Sequence, residues 1–200
     1  MTTATAKPKQ KSAMSALSLV YCGMFAALMM IGANITSFVP FLVVGGVPIT
    51  LQAFFAVLAG LLLGSRLGPI AITVYVVVGL AGAPVFAKFQ GGFSAILLPT
   101  FGFIVSFILV AYVVGKIVEK NGSIGSYVIA GLVGMTINYL IGTNWMYFAY
   151  KFWANAPDVF TYKIAWAWMV PPLPKDIILS ILAGIFGHRM YKVLKVRRAH

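Results

Sequence analysis

The chain has 200 residues, of which 61% are hydrophobic and only 9% charged, and its mean hydropathy is +0.97. Soluble domains carry roughly 25% charged residues, so this composition excludes a soluble enzyme or binding module and indicates an integral membrane protein. The net charge of +12 does not point to nucleic acid, because the basic residues flank apolar runs or crowd the two ends and no basic-aromatic recognition motif is present.

In chain order, residues 1–12 are polar and basic and read as a cytoplasmic arm rather than a cleaved leader. The apolar run after them is too long for a signal-peptide core. Six apolar spans then follow, at about Ala13–Gly32, Thr50–Leu63, Gly68–Ala83, Ile96–Val118, Ser126–Tyr150 and Pro174–Met190, with a basic tail at 192–200. The expected fold is an all-α integral membrane protein, a six-helix bundle over residues 13–191. Gly64-Ser65-Arg66 separates the second span from the third, and Lys120-Asn121-Gly122 the fourth from the fifth. Lys7, Lys9, Lys11, Arg66, Lys116, Lys120, Arg189, Lys192, Lys195, Arg197 and Arg198 fall on one side, against Lys88, Lys151 and Lys163 on the other. The positive-inside rule then puts both termini in the cytoplasm. The three connections on the other side are longer and rich in Gly, Pro and aromatics. Irregular backbone at membrane depth survives only where it packs on protein or lines a cavity, so a binding cavity is expected there.

Three acidic residues occur, Glu119, Asp158 and Asp176. Asp176 opens the last span, after Pro171, Pro172, Leu173, Pro174 and Lys175. A carboxylate inside a membrane segment costs about 2.5–3.5 kcal/mol, and such a residue marks a functional site unless it merely caps its helix. Lys175 is its neighbour in sequence, and two successive helical residues project about 100° apart, so pairing does not follow from spacing. Lys88, between Phe86 and Phe89, is a cation on the side poor in basic residues: a loop lysine reaching water, or the partner of an anionic ligand. Gln52 ends Gly45-Gly46-Val47-Pro48-Ile49-Thr50-Leu51-Gln52 and both donates and accepts. Asn144 and Trp145 offer an amide and an indole in the fifth span, with Tyr139 five residues before Asn144. In the first span Gly23, Ala26 and Ala27 form a small-residue face, suited to packing within the chain or to docking on another membrane subunit.

Some chemistry is missing. His188 and His200 lie at the basic end, away from the expected cavity, so no histidine dyad or metal cluster forms there. Cys22 is the single cysteine and forms no disulfide within the chain. No Gly-x-x-x-x-Gly-Lys-[Ser/Thr] loop occurs, so ATP hydrolysis by that route is excluded. The candidates are a capture subunit energised by partners, a stand-alone carrier coupled to protons through Asp176, and a membrane enzyme. The last is disfavoured because no nucleophile–base pair is available.

Gly45 to Gln52, Gly64-Ser65-Arg66-Leu67-Gly68, Gly79-Leu80-Ala81-Gly82-Ala83-Pro84-Val85-Phe86-Ala87, Gly91-Gly92 and Pro99-Thr100-Phe101-Gly102-Phe103 together resemble the BioY family. These are the biotin-binding S components of bacterial energy-coupling-factor (ECF) transporters. The resemblance implies six helices, biotin capture near the outer surface, and partnership with a transmembrane coupling protein and two ATPase subunits that use the ATP. It implies no cofactor in this chain and a place in the bacterial cell membrane. It also implies that Gly23, Ala26 and Ala27 dock on the coupling protein. The family's Pro-x-Asp-x-x-Lys pattern is matched at Pro174 and Asp176, but Leu179 holds the lysine position and Lys175 precedes the acid. The family's Gly-Pro-Thr-Gly-Gly appears here as Leu98-Pro99-Thr100-Phe101-Gly102. Chemically, Asp176 suits a ureido N–H, Gln52 or Asn144 the ureido carbonyl, and Phe86, Phe89, Tyr139 and Trp145 an apolar ring wall. Lys175 or Lys88 suits the carboxylate. A related S component for another small vitamin is the nearest alternative.

Overall fold

The computed structural model describes residues 15–38, 43–44 and 46–198. The expected arm at 1–12 and Gly45 lie outside the described residues. Six α-helices occur: α1 (Ala16–Asn34), α2 (Gln52–Leu80), α3 (Phe101–Lys120), α4 (Ile124–Phe152), α5 (Tyr162–Ala167) and α6 (Leu173–Arg198). Two-residue strands β1 (Val43–Val44) and β2 (Val47–Pro48) pair antiparallel, with Val44 opposite Val47. Among the described residues, α1, α2, α3 and α4 are long and apolar enough to cross a membrane. The chain is an all-α membrane protein.

Local chemistry sets the helix starts. The Ser15 and Ser123 hydroxyls accept the backbone N–H of Ser18 and Ser126, satisfying donors that the first turn leaves open. In α6, Pro174 sits in the first turn, where its missing N–H costs nothing. The helix continues to Arg198, so residues 192–198 extend α6 instead of forming a separate tail.

α2 is two arms, 52–63 and 65–80. Gly64 has φ 78° and ψ −177°, a region open essentially to glycine alone. A β-carbon placed on Gly68 lies 3.0 Å from the Ala59 carbonyl oxygen, whereas nine residues of straight helix span about 13 Å. The chain therefore folds back on itself at Gly64. Glu119 of α3 secures the reversal. Its Oε1 accepts the Ser65 backbone N–H at 2.7 Å and its Oε2 the Ser65 hydroxyl at 2.8 Å. One of the three acids is thus a cap for the second arm, at the end carrying Lys116 and Lys120. The arms coincide with the expected second and third spans, and each is shorter than an independent bilayer-length helix.

α2 packs on α3, α3 on α4, α4 on α6 and α6 back on α2, which closes a ring, while α1 lies against α2. Lipid tails are as apolar as leucine, so packing within the bilayer depends on close fit. The absence of side chains at Gly102 and Gly142 supplies it here: Trp145 sits on Gly102 and Phe103 on Gly142, which interlocks α3 and α4.

Gly64→Ala forces a methyl group to within 2.7 Å of Glu119 Oε1 in a backbone region that alanine avoids. It is expected to cost about 1–3 kcal/mol and to lower the thermal midpoint of the detergent-solubilised protein. An unchanged midpoint would show that the reversal does not need this geometry.

Candidate ligand-binding cavity

At the end of the ring opposite Gly64, the helices leave a gap between them. A cavity of about 160 Å³ lies between the starts of α2 and α6, the β-hairpin, the connections at 85–90 and 98–100, and the facing sides of α3 and α4. Its polar lining is Thr50, Gln52, Lys88, Gln90, Thr100, Asn138, Tyr139, Tyr150, Lys175 and Asp176. Phe86, Phe103, Ile104, Phe107 and Met169 supply apolar wall.

Asp176, 8% exposed, is held on both sides. Its Oδ1 lies 2.9 Å from Lys175 Nζ, and its Oδ2 accepts the Tyr139 hydroxyl at 2.7 Å. Lys175 also donates to the Thr50 carbonyl at 2.6 Å. The neighbours do pair, although both belong to α6. The four-carbon stem of lysine swings its ammonium across to the backbone of residue 50, so the angle between successive Cα–Cβ directions does not limit it. Three parts of the chain, α6, α4 and the segment entering α2, are joined through this one carboxylate.

Gln52 is buried and donates from Nε2 to the Tyr75 hydroxyl at 2.8 Å, while its Oε1 accepts from the Thr50 hydroxyl at 3.2 Å. Tyr75, fully buried in the second arm of α2, meets Phe86 edge-on at 5.5 Å. The two arms therefore join again above Gly64, at the cavity.

The connection carrying Lys88 is clasped by α1. Asn34 at the end of α1 donates from Nδ2 to the Val85 carbonyl at 3.1 Å and accepts the Phe89 backbone N–H on Oδ1 at 2.8 Å. Ser37 Oγ accepts the Lys88 backbone N–H at 3.1 Å, and Phe86 and Gln90 close a backbone bridge. Lys88 and Phe89 have φ of 61° and 56°, a left-handed conformation that costs a non-glycine residue about 1–2 kcal/mol. The clasp holds that strain and aims Phe86, Ala87 and Lys88 into the cavity wall. The Lys88 ammonium forms no ion pair with the described residues.

The cavity brings together Asp176, Lys175, Lys88, Gln52, Phe86 and Tyr139. Its wall does not include Phe89, Asn144 or Trp145. Phe89 is half-exposed on the clasped turn. Asn144 points away from the cavity, donating to the Leu140 carbonyl at 2.7 Å and accepting from the Tyr162 hydroxyl at 3.3 Å. The indoles of Trp145 and Trp153 donate to the carbonyls of Leu98 and Leu97, at 3.2 and 2.8 Å. They brace the wall at 98–100 from behind. On α1, Ala26 is buried in the chain's own core, while its neighbours on the helix surface, Gly23 and Ala27, are exposed. The small-residue face is split between the two.

Asn138, Tyr75, Asn34 and the Thr50 carbonyl were not found from the sequence. For Asn138 a signal existed. Asn144 lies five residues beyond Tyr139, about 140° away around the helix, so a phase with Tyr139 facing the cavity turns Asn144 outward and brings Asn138 in.

The BioY family model matches residues 5–196. The chain belongs to the BioY family. Over 172 residues it is 45% identical to the "Putative biotin transporter BioYB" of Bacillus subtilis (strain 168), covering 85% of each chain. It is 36% identical over 180 residues to the "Biotin transporter BioY" of Thermotoga maritima, covering 90% of this chain and 98% of that one. Its fold is like that of a crystal structure of the S-component for biotin from an ECF-type ABC transporter, with a TM-score of 0.72 at 24% identity, covering 90% of this chain and 95% of the other.

Asn34→Ala removes both side-chain bonds to the Lys88 connection. Amide exchange over residues 85–90 is expected to quicken about tenfold, since one to two buried hydrogen bonds contribute about 1–2 kcal/mol. Exchange mass spectrometry in detergent checks this, and unchanged protection would mean that the Phe86–Gln90 bridge alone holds the turn.

Proposed function

We propose that this member of the BioY family captures biotin as the substrate-specific (S) subunit of an ECF transporter in the bacterial cell membrane. Six crossings support uptake from outside, with the arms of α2 counted separately and α6 as the last. Both termini are then cytoplasmic and the cavity faces outward, an orientation supported by the bias of Lys and Arg toward the opposite end.

The observation that carries the reading is the division of labour among the cavity's charges. Biotin has a ureido ring with two N–H donors and one carbonyl, and a carboxylate at the end of an alkyl chain. Asp176 keeps free lone pairs beside its two bonds and accepts a ureido N–H. Gln52 retains a second Nε2 hydrogen for the ureido carbonyl. Phe86 and its apolar neighbours pack the ring system. Lys175 is committed to Asp176 and Thr50, so Lys88 is the cation for the carboxylate.

Energy for uptake comes from two partner ATPases through a coupling protein, in keeping with the lack of a phosphate-binding loop in this chain. Gly23 and Ala27 are the small residues positioned on α1 to meet that protein. A proton-driven carrier fits less well, because Asp176 is the one acid lining the cavity and is already ion-paired.

Mass spectrometry of the small molecule that copurifies with the detergent-solubilised protein should find biotin. Asp176→Asn is expected to weaken biotin binding tenfold or more by calorimetry. A change within about threefold, roughly 0.7 kcal/mol, would remove Asp176 from the site. Lys88→Gln should weaken biotin about tenfold and leave biotinamide, which lacks the anionic carboxylate, nearly unaffected. Equal losses for both ligands would assign the carboxylate elsewhere.

A further inference from the structure

Asn138 is 5% exposed and sits on α4 in the cavity wall, next in sequence to Tyr139, which holds Asp176. Its amide orientation is fixed by its neighbours. Nδ2 lies 3.1 Å from the Phe103 carbonyl and 2.7 Å from Ser106 Oγ, and Ser106 Oγ donates to that same carbonyl at 2.8 Å. The carbonyl only accepts, and the single hydroxyl hydrogen of Ser106 is already spent on it. Both contacts therefore require N–H donors, and only the amide nitrogen supplies them. The amide oxygen is left over. It has no partner among the described residues, and it is not among their fully enclosed, unpartnered side-chain atoms. The route open to it is the cavity that its residue lines. Once a ligand fills the cavity, an acceptor left without a donor is costly, so this oxygen is poised for an N–H that arrives with the ligand.

We infer that Asn138 is the second acceptor of the site: its Oδ1 takes one ureido N–H while Asp176 takes the other. This rests on the biotin reading above. The arrangement selects for a cyclic urea or another ring with two N–H donors. It rejects rings with one donor, because one of the two acceptors would then stay buried and unpaired. The residue touches ligand on one side and anchors α4 to the Phe103 turn of α3 on the other, so substitution has a structural consequence as well.

The test separates the two roles by calorimetry with biotin and its two mono-N-methyl ureido isomers. For the wild-type protein, each isomer should bind at least tenfold more weakly than biotin, because each blocks one acceptor. An isomer that binds as tightly as biotin overturns the inference, and no variant is needed to see it. For Asn138→Leu, biotin should weaken about tenfold, whereas one of the isomers should bind variant and wild type alike. Biotin affinity within twofold of wild type overturns the inference, and so does an equal loss for all three ligands, which is the mark of a purely structural role. Wild-type protein that binds no biotin sinks the transport reading itself and this inference with it. Wild-type binding with an unaffected variant sinks this inference alone.

Discussion

A carboxylate in an apolar bundle has to be compensated where it sits, and the compensation of Asp176 organises the cavity end of this protein. Lys175 neutralises it and reaches on to the Thr50 carbonyl, and Tyr139 donates to its other oxygen. Removing one partner would leave a buried charge short of its bonds, a change that costs far more than an intact pair contributes. The same four groups join α6 to α4 and to the start of α2. The polar centre of the cavity therefore also closes the ring of helices around it.

A second arrangement repeats this logic in neutral groups. Asn34 donates to one side of the 85–90 turn and accepts from the other, while Gly32 of the same helix accepts the Leu51 backbone N–H at 2.9 Å. The last turn of α1 thus touches two of the segments that border the cavity, the 85–90 turn and the entry to α2. Two successive left-handed residues, Lys88 and Phe89, persist because the surrounding bonds over-determine them. At the far end Glu119 fixes the reversal at Gly64. At both places the irregular backbone is pinned by a polar side chain on a neighbouring helix.

Much of this was legible in the sequence. Apolar runs and their breakers place the long helices, although α3 begins five residues after the expected Ile96 and α6 runs eight residues past Met190; the scarcity of acids singles out Asp176. Of the three glycine-, proline- and aromatic-rich connections, the first two border the cavity, while 151–164 contributes nothing to its lining. What was hidden depends on reach and rotation rather than on pattern. The Lys175–Asp176 pair requires knowing that the backbone of residue 50 lies across the gap. The choice between Asn138 and Asn144 is a question of helical phase, legible only once Tyr139 is placed toward the cavity. Trp145 has the composition of a ligand wall, but packing against Gly102 turns its indole behind that wall. The split of Ala26 from Gly23 and Ala27 follows from which side of α1 faces α2, a relation between helices that one helix cannot encode.

The charged groups around the cavity among the described residues are Lys88, Lys175 and Asp176. Lys175 and Asp176 cancel, so an empty site keeps one unbalanced positive charge and a site holding a monoanion keeps none. Moving one elementary charge across a membrane potential involves about 2.3 kcal/mol per 100 mV, and moving a balanced set involves no such electrical work. Any displacement of this site through the bilayer is thus opposed or driven by voltage when vacant and indifferent to voltage when filled. If Lys88 meets the carboxylate of the cargo, as proposed, the cargo is itself the counterion that frees the site from the field.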